Sequence, residues 1–194
     1  SLIRKLNSVE TLGSISVLCV DKTGTLTKNE MNIEEVFCYE SVSKNDLINA
    51  SILASESHPI DPMEVAIHHY AEKIDLSING TYQNNLIHEY PFSSENRMMG
   101  HIWQIGKNKV LAIKGAFESV IPLCGLSEND ILQLNYTLKG LSHRGYRVLA
   151  IAQSLLSDNI PLKITDNKLQ FLGLLAMTDP PREGVLEAIK ESIS

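Results

Sequence analysis

The chain has 194 residues, 43% of them hydrophobic and 21% charged, with 17 Lys and Arg against 23 Asp and Glu for a formal net charge of −6. This composition can build a real core and excludes global disorder, and the acidic balance argues against nucleic acid as the partner. The longest apolar run, residues 171–177, is far short of a membrane span, and Cys19, Cys38 and Cys124 are too scattered for a disulfide framework or a thiolate zinc site.

Residues 1–13 carry Leu2, Ile3, Leu6 and Val9 at helical spacing before Gly13, with neither an apolar signal core nor an initiating Met. The chain is therefore expected to be a soluble, reducing-side piece cut from something longer. Ile15–Val20 is a short β-branched apolar run, which predicts a strand buried on both faces of a parallel sheet. Ser43 and Asp46 have capping-box spacing and open a helix through Ala54, and Pro62 opens a second helix. Residues 85–92, 98–105 and 109–114 are three strand-like runs, the last two joined by a turn at Gly106-Lys107-Asn108. Ala116–Cys124 reads as a helix closed by Gly125, Ser127 opens another that ends near Arg144-Gly145, and Tyr146–Gln153 reads as a strand. Residues 169–177 form a near-continuous apolar run, predicted as a return to the parallel sheet, and a helix follows Arg182.

Between the first strand and the inserted region stands DKTGTLT, residues 21–27. A carboxylate at the end of a rigid strand, Asp21, can act as a nucleophile toward a phosphoryl group. Backbone N–H groups around Gly24 and the hydroxyls of Thr23 and Thr25 can cradle phosphate oxygens, and Lys22 adds positive charge. Such chemistry calls for Mg²⁺ to screen phosphate from the attacking carboxylate.

DKTGTLT resembles the phosphorylation signature of P-type cation-transporting ATPases, and further segments resemble the same family in the same order. SVETLG and LTKNEM, on either side of the strand and loop, resemble the type II calcium and sodium pumps. LAIKGAFESV, GYRVLAIA and MTDPPREGV resemble the family's KGA, RVLA and DPPR segments. SESHP resembles the His-Pro element of the heavy-metal pumps, and the chain is compact in the manner of bacterial members. Haloacid-dehalogenase-type phosphatases share the phosphorylation fold but usually carry a second Asp two positions after the nucleophile, where this chain has Thr23.

The resemblance implies an α+β nucleotide-binding domain, an antiparallel sheet flanked by helices, inserted in a partial haloacid-dehalogenase-like α/β phosphorylation domain. Residues 1–30 and 169–194 are then the two ends of the phosphorylation domain, and 31–168 the insertion. It implies catalytic roles for Asp21, Lys22 and Thr23, with Asp21 and Thr23 part of an Mg²⁺ site. Phe92 is implied to stack on adenine, with Glu64, Arg97, Lys114, Gly115 and Arg147 around the nucleotide. Asp179 and Arg182 are implied in a hinge near the phosphates. Phe117 follows KGA where proline is common, and Ser94 stands where the calcium-pump type has a basic residue. ATP and Mg²⁺ are the implied cofactors. The implied partners are the parent's own transmembrane and actuator domains and a transported cation, at the cytoplasmic face of a membrane. The family's TGD and GDGxND loops do not occur in this sequence. A phosphatase with a large cap and a nucleotide-binding module without chemistry are the alternative readings.

Overall fold

The computed structural model describes residues 16–17, 19–157 and 160–193. The helix predicted over 1–13 lies outside them. The chain divides into two compact units, residues 30–180 and residues 1–29 with 181–194.

In the larger unit the described residues form one six-stranded sheet, entirely antiparallel. Its strands are β1 (Asn32–Cys38), β2 (Asn85–Ser93), β3 (Met98–Ile105), β4 (Asn108–Gly115), β5 (Arg147–Leu156) and β6 (Gln170–Thr178), in the spatial order β1-β6-β5-β4-β3-β2. The β3–β4 hairpin turns at Gly106, whose φ of 59° is the left-handed conformation a tight turn requires. One face of the sheet is covered by α1 (Lys44–Leu53) and α2 (Pro62–Lys73), with α3 (Ile78–Tyr82) beside them. Leu47, Ile48, Ile52, Ile67 and Ala71 of α1 and α2 pack there on Leu149, Ile151, Leu172, Leu175 and Met177. The other face is covered by α4 (Phe117–Val120), its continuation through Ile121–Leu123, and α5 (Glu128–His143). Phe117, Val120, Leu134 and Leu141 meet Leu111, Ile113, Ala150, Phe171 and Leu174.

The helix starts follow local chemistry. Ser43 and Ser127 accept from the backbone N–H of Asp46 and Asp130, and Asp61 accepts from Met63 and Glu64 while Pro62 supplies a pre-set φ. The strand of residues 170–178 corrects the parallel-sheet expectation. It pairs antiparallel with β1 on one side and β5 on the other. A continuous apolar run reports burial on both faces, here under helices on each side, and says nothing of strand direction. Residues 169–180, expected in the returning end of the phosphorylation domain, belong to the larger unit.

In the smaller unit, Thr27 bridges Pro181 in an isolated antiparallel pair, and α6 (Val185–Ile193) follows. The parallel strand predicted over 15–20 is not formed by its described residues: Ser16, Val17, Cys19 and Val20 are exposed and in no strand. Among the described residues of this unit no neighbouring strand offers the backbone partners that a buried strand needs. A haloacid-dehalogenase-like sheet is accordingly not present among them. No helix of the described residues is long and apolar enough to cross a membrane.

Candidate functional site

A mainly apolar cleft of about 620 Å³ opens where the α1–α2 loop passes the ends of β2, β3 and β4. Phe92, on β2, is 61% exposed and lines it, with Met63, Met99 and Leu149. A large aromatic exposed at the wall of a concave apolar site presents a π-face on which a flat ligand can stack.

Lys114 and Glu64 lie in the wall of this cleft and are almost completely buried. The Lys114 ammonium donates to the carbonyl of Ala54 (2.6 Å), to Ser55 Oγ (2.9 Å) and to Glu64 Oε1. An ammonium has three protons, and these three acceptors take them. Burial pushes the Lys114 pKa below its ordinary value, and the Glu64 carboxylate opposes that. Ala54 is the C-terminal cap of α1 and Glu64 lies in the first turn of α2, so each charge meets the helix end that favours it. Glu64 Oε1 also accepts from the N–H of Glu56 (3.4 Å). The pair thus ties β4 to the ends of two helices and fixes the loop between them.

Gly115 and Arg97 shape the opposite corner. A Cβ on Gly115 would stand 2.4 Å from Met98 Cβ and 2.8 Å from the Arg97 carbonyl, so only glycine lets β3 and β4 close there. Arg97 is exposed, adopts φ 48°, and closes the β2–β3 turn by donating its N–H to the Ser93 carbonyl (2.7 Å).

In the smaller unit, Asp21, Lys22 and Thr23 are exposed on a loop. The Thr27 N–H (3.1 Å) and hydroxyl (3.2 Å) both donate to the Lys22 carbonyl, and Gly24 takes φ 75°. Arg182 clamps this loop: its backbone N–H donates to Leu26, its Nε to Thr27 and its Nη2 to Gly24, each carbonyl at 2.9 Å. Asp179, in the larger unit, accepts from the N–H of Glu30 (3.2 Å).

Of the expected nucleotide residues, Glu64, Phe92, Arg97, Lys114 and Gly115 line one cleft. Arg147 is not among its lining residues; it is exposed at the start of β5, two positions before Leu149, which is. Asp179 and Arg182 fall in different units. Glu56, His58 and Asp61, also in the lining, were not singled out from the sequence. The SESHP segment, residues 55–59, was the signal that could have found the first two.

These features define a class. The family described as P-type ATPase, cytoplasmic domain N, matches residues 14–184, and the chain belongs to it. Calcium-transporting ATPase 1 of Lactococcus lactis is 34% identical, over 99% of this chain and 25% of its own length. A protein of Mycoplasma genitalium named "Probable cation-transporting P-type ATPase" is 32% identical, over 97% of this chain and 23% of its own length. The chain therefore spans about a quarter of these relatives. The crystal structure of a zinc-transporting PIB-type ATPase is similar in fold, with a TM-score of 0.54 and 19% identity over 89% of this chain and 23% of that one. The match favours neither a capped phosphatase nor a nucleotide-binding module outside this family.

Proposed function

We propose that this chain is the ATP-binding and phospho-acceptor portion of an ATP-driven cation pump whose other parts, transmembrane helices and actuator domain, complete the machine at the cytoplasmic face of a membrane. The observation that carries the reading is the meeting of Phe92, Glu64, Arg97, Lys114 and Gly115 in one cleft of a P-type ATPase N domain. Relatives named as calcium and cation transporters support the cargo class.

In this reading the unit of residues 30–180 is the nucleotide-binding domain, inserted in a haloacid-dehalogenase-like phosphorylation domain begun by 1–29 and resumed in 181–194. Adenine stacks on Phe92. The contacts that Glu64 makes with Lys114 and with the Glu56 N–H both fall on Oε1, so Oε2 is the atom offered to the adenine amino group. Lys114 spends its protons inside the protein, and its role is to hold Glu64 and the loop wall in place. Arg97 at the turn and Arg147 on β5 are the cations that this reading assigns to ribose or phosphate.

Asp21 is the phosphate acceptor. Its carboxylate oxygen forms a bond to the γ-phosphorus while the bond from that phosphorus to the β,γ-bridging oxygen breaks, leaving an aspartyl-phosphate and ADP. Lys22 and Thr23 follow Asp21 in the chain, and Arg182 holds the loop that carries them. Asp21 and the oxygen groups of Thr23 are hard donors of the type Mg²⁺ accepts, and they would supply part of an octahedral set. Mg²⁺, when bound there, supplies charge neutralisation between carboxylate and phosphate.

An ATP titration followed by NMR tests the cleft. Perturbations are expected around Phe92, Glu64 and Lys114. Phe92→Ala is expected to weaken binding about 5- to 150-fold, from roughly 1–3 kcal/mol for base–aromatic stacking. Phe92→Trp keeps a π-face and is expected to retain most of the affinity. Unchanged affinity in Phe92→Ala overturns the assignment.

A further inference from the structure

Beside the cleft, on the α1–α2 side of the sheet, lies a second cluster whose side chains are given no part in the nucleotide reading. Glu89 on β2 stands directly across from His101 on β3. Glu56, from the loop after α1, reaches the same point. One ligand atom from each of the three lies within 4.8 Å of the others. His101 Nε2 is 3.8 Å from Glu56 Oε1, too long for a hydrogen bond.

His101 is 1% exposed, and neither of its ring nitrogens has a hydrogen-bond partner among the described residues. A buried imidazole with both nitrogens unsatisfied is costly, and native structures rarely leave such groups without a partner. The two carboxylates are exposed, Glu56 with half its side chain in water. Exposed glutamates can rotate inward, whereas the histidine is fixed in the sheet.

We infer that Glu56, Glu89 and His101 form a binding site for a divalent transition-metal ion of the zinc class. Imidazole nitrogen and carboxylate oxygen are both donors that Zn²⁺ takes at about 2.0–2.2 Å, and three protein donors leave a fourth position to water. Contraction of the cluster to that spacing requires movement of the exposed glutamates only. The charge closes as well, since two carboxylates and a neutral imidazole neutralise one divalent ion. Zn²⁺ takes the neutral imidazole, and burial disfavours the charged form of the His101 ring. Mg²⁺ is disfavoured, because it prefers oxygen ligands throughout. Glu56 also lines the cleft, so an occupied site ties the cleft wall to β2 and β3.

The experiment is a calorimetric titration of the metal-stripped 194-residue chain with Zn²⁺, in parallel with Mg²⁺. One equivalent of Zn²⁺ is expected to bind at low micromolar concentration, without competition from millimolar Mg²⁺. Glu89→Gln, at an exposed position that keeps the fold, and His101→Gln are each expected to weaken binding about 10-fold or more, since loss of even an outer-shell partner costs that much. Co²⁺ substitution is expected to give visible d–d bands without thiolate charge transfer, excluding the three cysteines. NMR of the histidine rings is expected to move the His101 nitrogens on adding Zn²⁺. Absence of binding, binding that survives both substitutions, or unmoved His101 resonances would overturn the site and leave the nitrogens to water or an inward glutamate. None of these readouts involves nucleotide, so failure here is separate from failure of the ATP assignment.

Discussion

Lys114 and Glu64 place opposite charges in the interior where α1, α2 and β4 meet, and removal of either should be felt as an uncompensated buried charge. Lys114→Met is expected to destabilise the fold by about 3–5 kcal/mol, read as a lower urea midpoint, while the double change Lys114→Met with Glu64→Leu recovers much of the loss. His101 makes stability depend on pH. Its folded pKa is lowered by burial from the ordinary 6.5, so as pH falls through about 6.5 the unfolded chain takes up a proton that the folded chain resists. Stability is therefore lost on acidification, and the loss levels off below the folded pKa. His68, lowered for the same reason, acts in the same direction. With chelator present, His101→Gln is expected to lose less Tm than the parent between about pH 7 and about pH 5.5, measured by thermal melts. The roles of these residues were unevenly legible in the sequence. Phe92 and Lys114 were found through segments resembling a family, since neither carries a periodic signal. Lys114 between a strand and a glycine reads as solvated, and its burial depends on acceptors 50 to 60 positions away.

At the level of elements, the chain announces its starts and stops clearly and its strand directions poorly. The caps at Ser43, Asp61 and Ser127 and the turn at Gly106 follow from side-chain chemistry within three residues. Ser127→Ala is expected to cost about 0.5–2 kcal/mol of stability, measured by denaturant unfolding. β1 was not anticipated: its alternation is irregular, with charged Glu34 and Glu35 at a register shift against β6. The direction of β6 was misread because apolar continuity encodes depth alone. Gly173 marks how closely β6 approaches β1, for a Cβ there would stand 2.1 Å from the Phe37 carbonyl and 2.3 Å from Leu47 Cδ1. Backbone cannot yield as a side-chain tip can. Gly173→Ala is expected to destabilise by about 1–3 kcal/mol or more, with hydrogen-exchange protection lost first along β1 and β6.

Across the whole molecule, the sheet and the helices that cover both its faces lie within residues 30–180. That stretch alone is expected to fold and to bind ATP with the affinity of the full chain, checked by comparing amide spectra and titrations of the two. On the proposed function, a pump carrying this chain is expected to form a hydroxylamine-sensitive phosphoenzyme from ATP that Asp21→Asn abolishes, measured by acid-quench labelling. The change of character after DKTGTLT lies close to the first division between the two units, and β6, with its apolar run, lies in the larger one. The first and last strands of the larger unit are immediate neighbours, with Asn32 opposite Thr178. Entry and exit of the chain are thus only about 5 Å apart, the separation of any directly opposed antiparallel pair. A module with such termini can be spliced into a surface hairpin of an unrelated host without prying the host apart. If the proposed ATP site holds, the same adjacency makes the unit a ready cassette for building nucleotide-responsive chimeras.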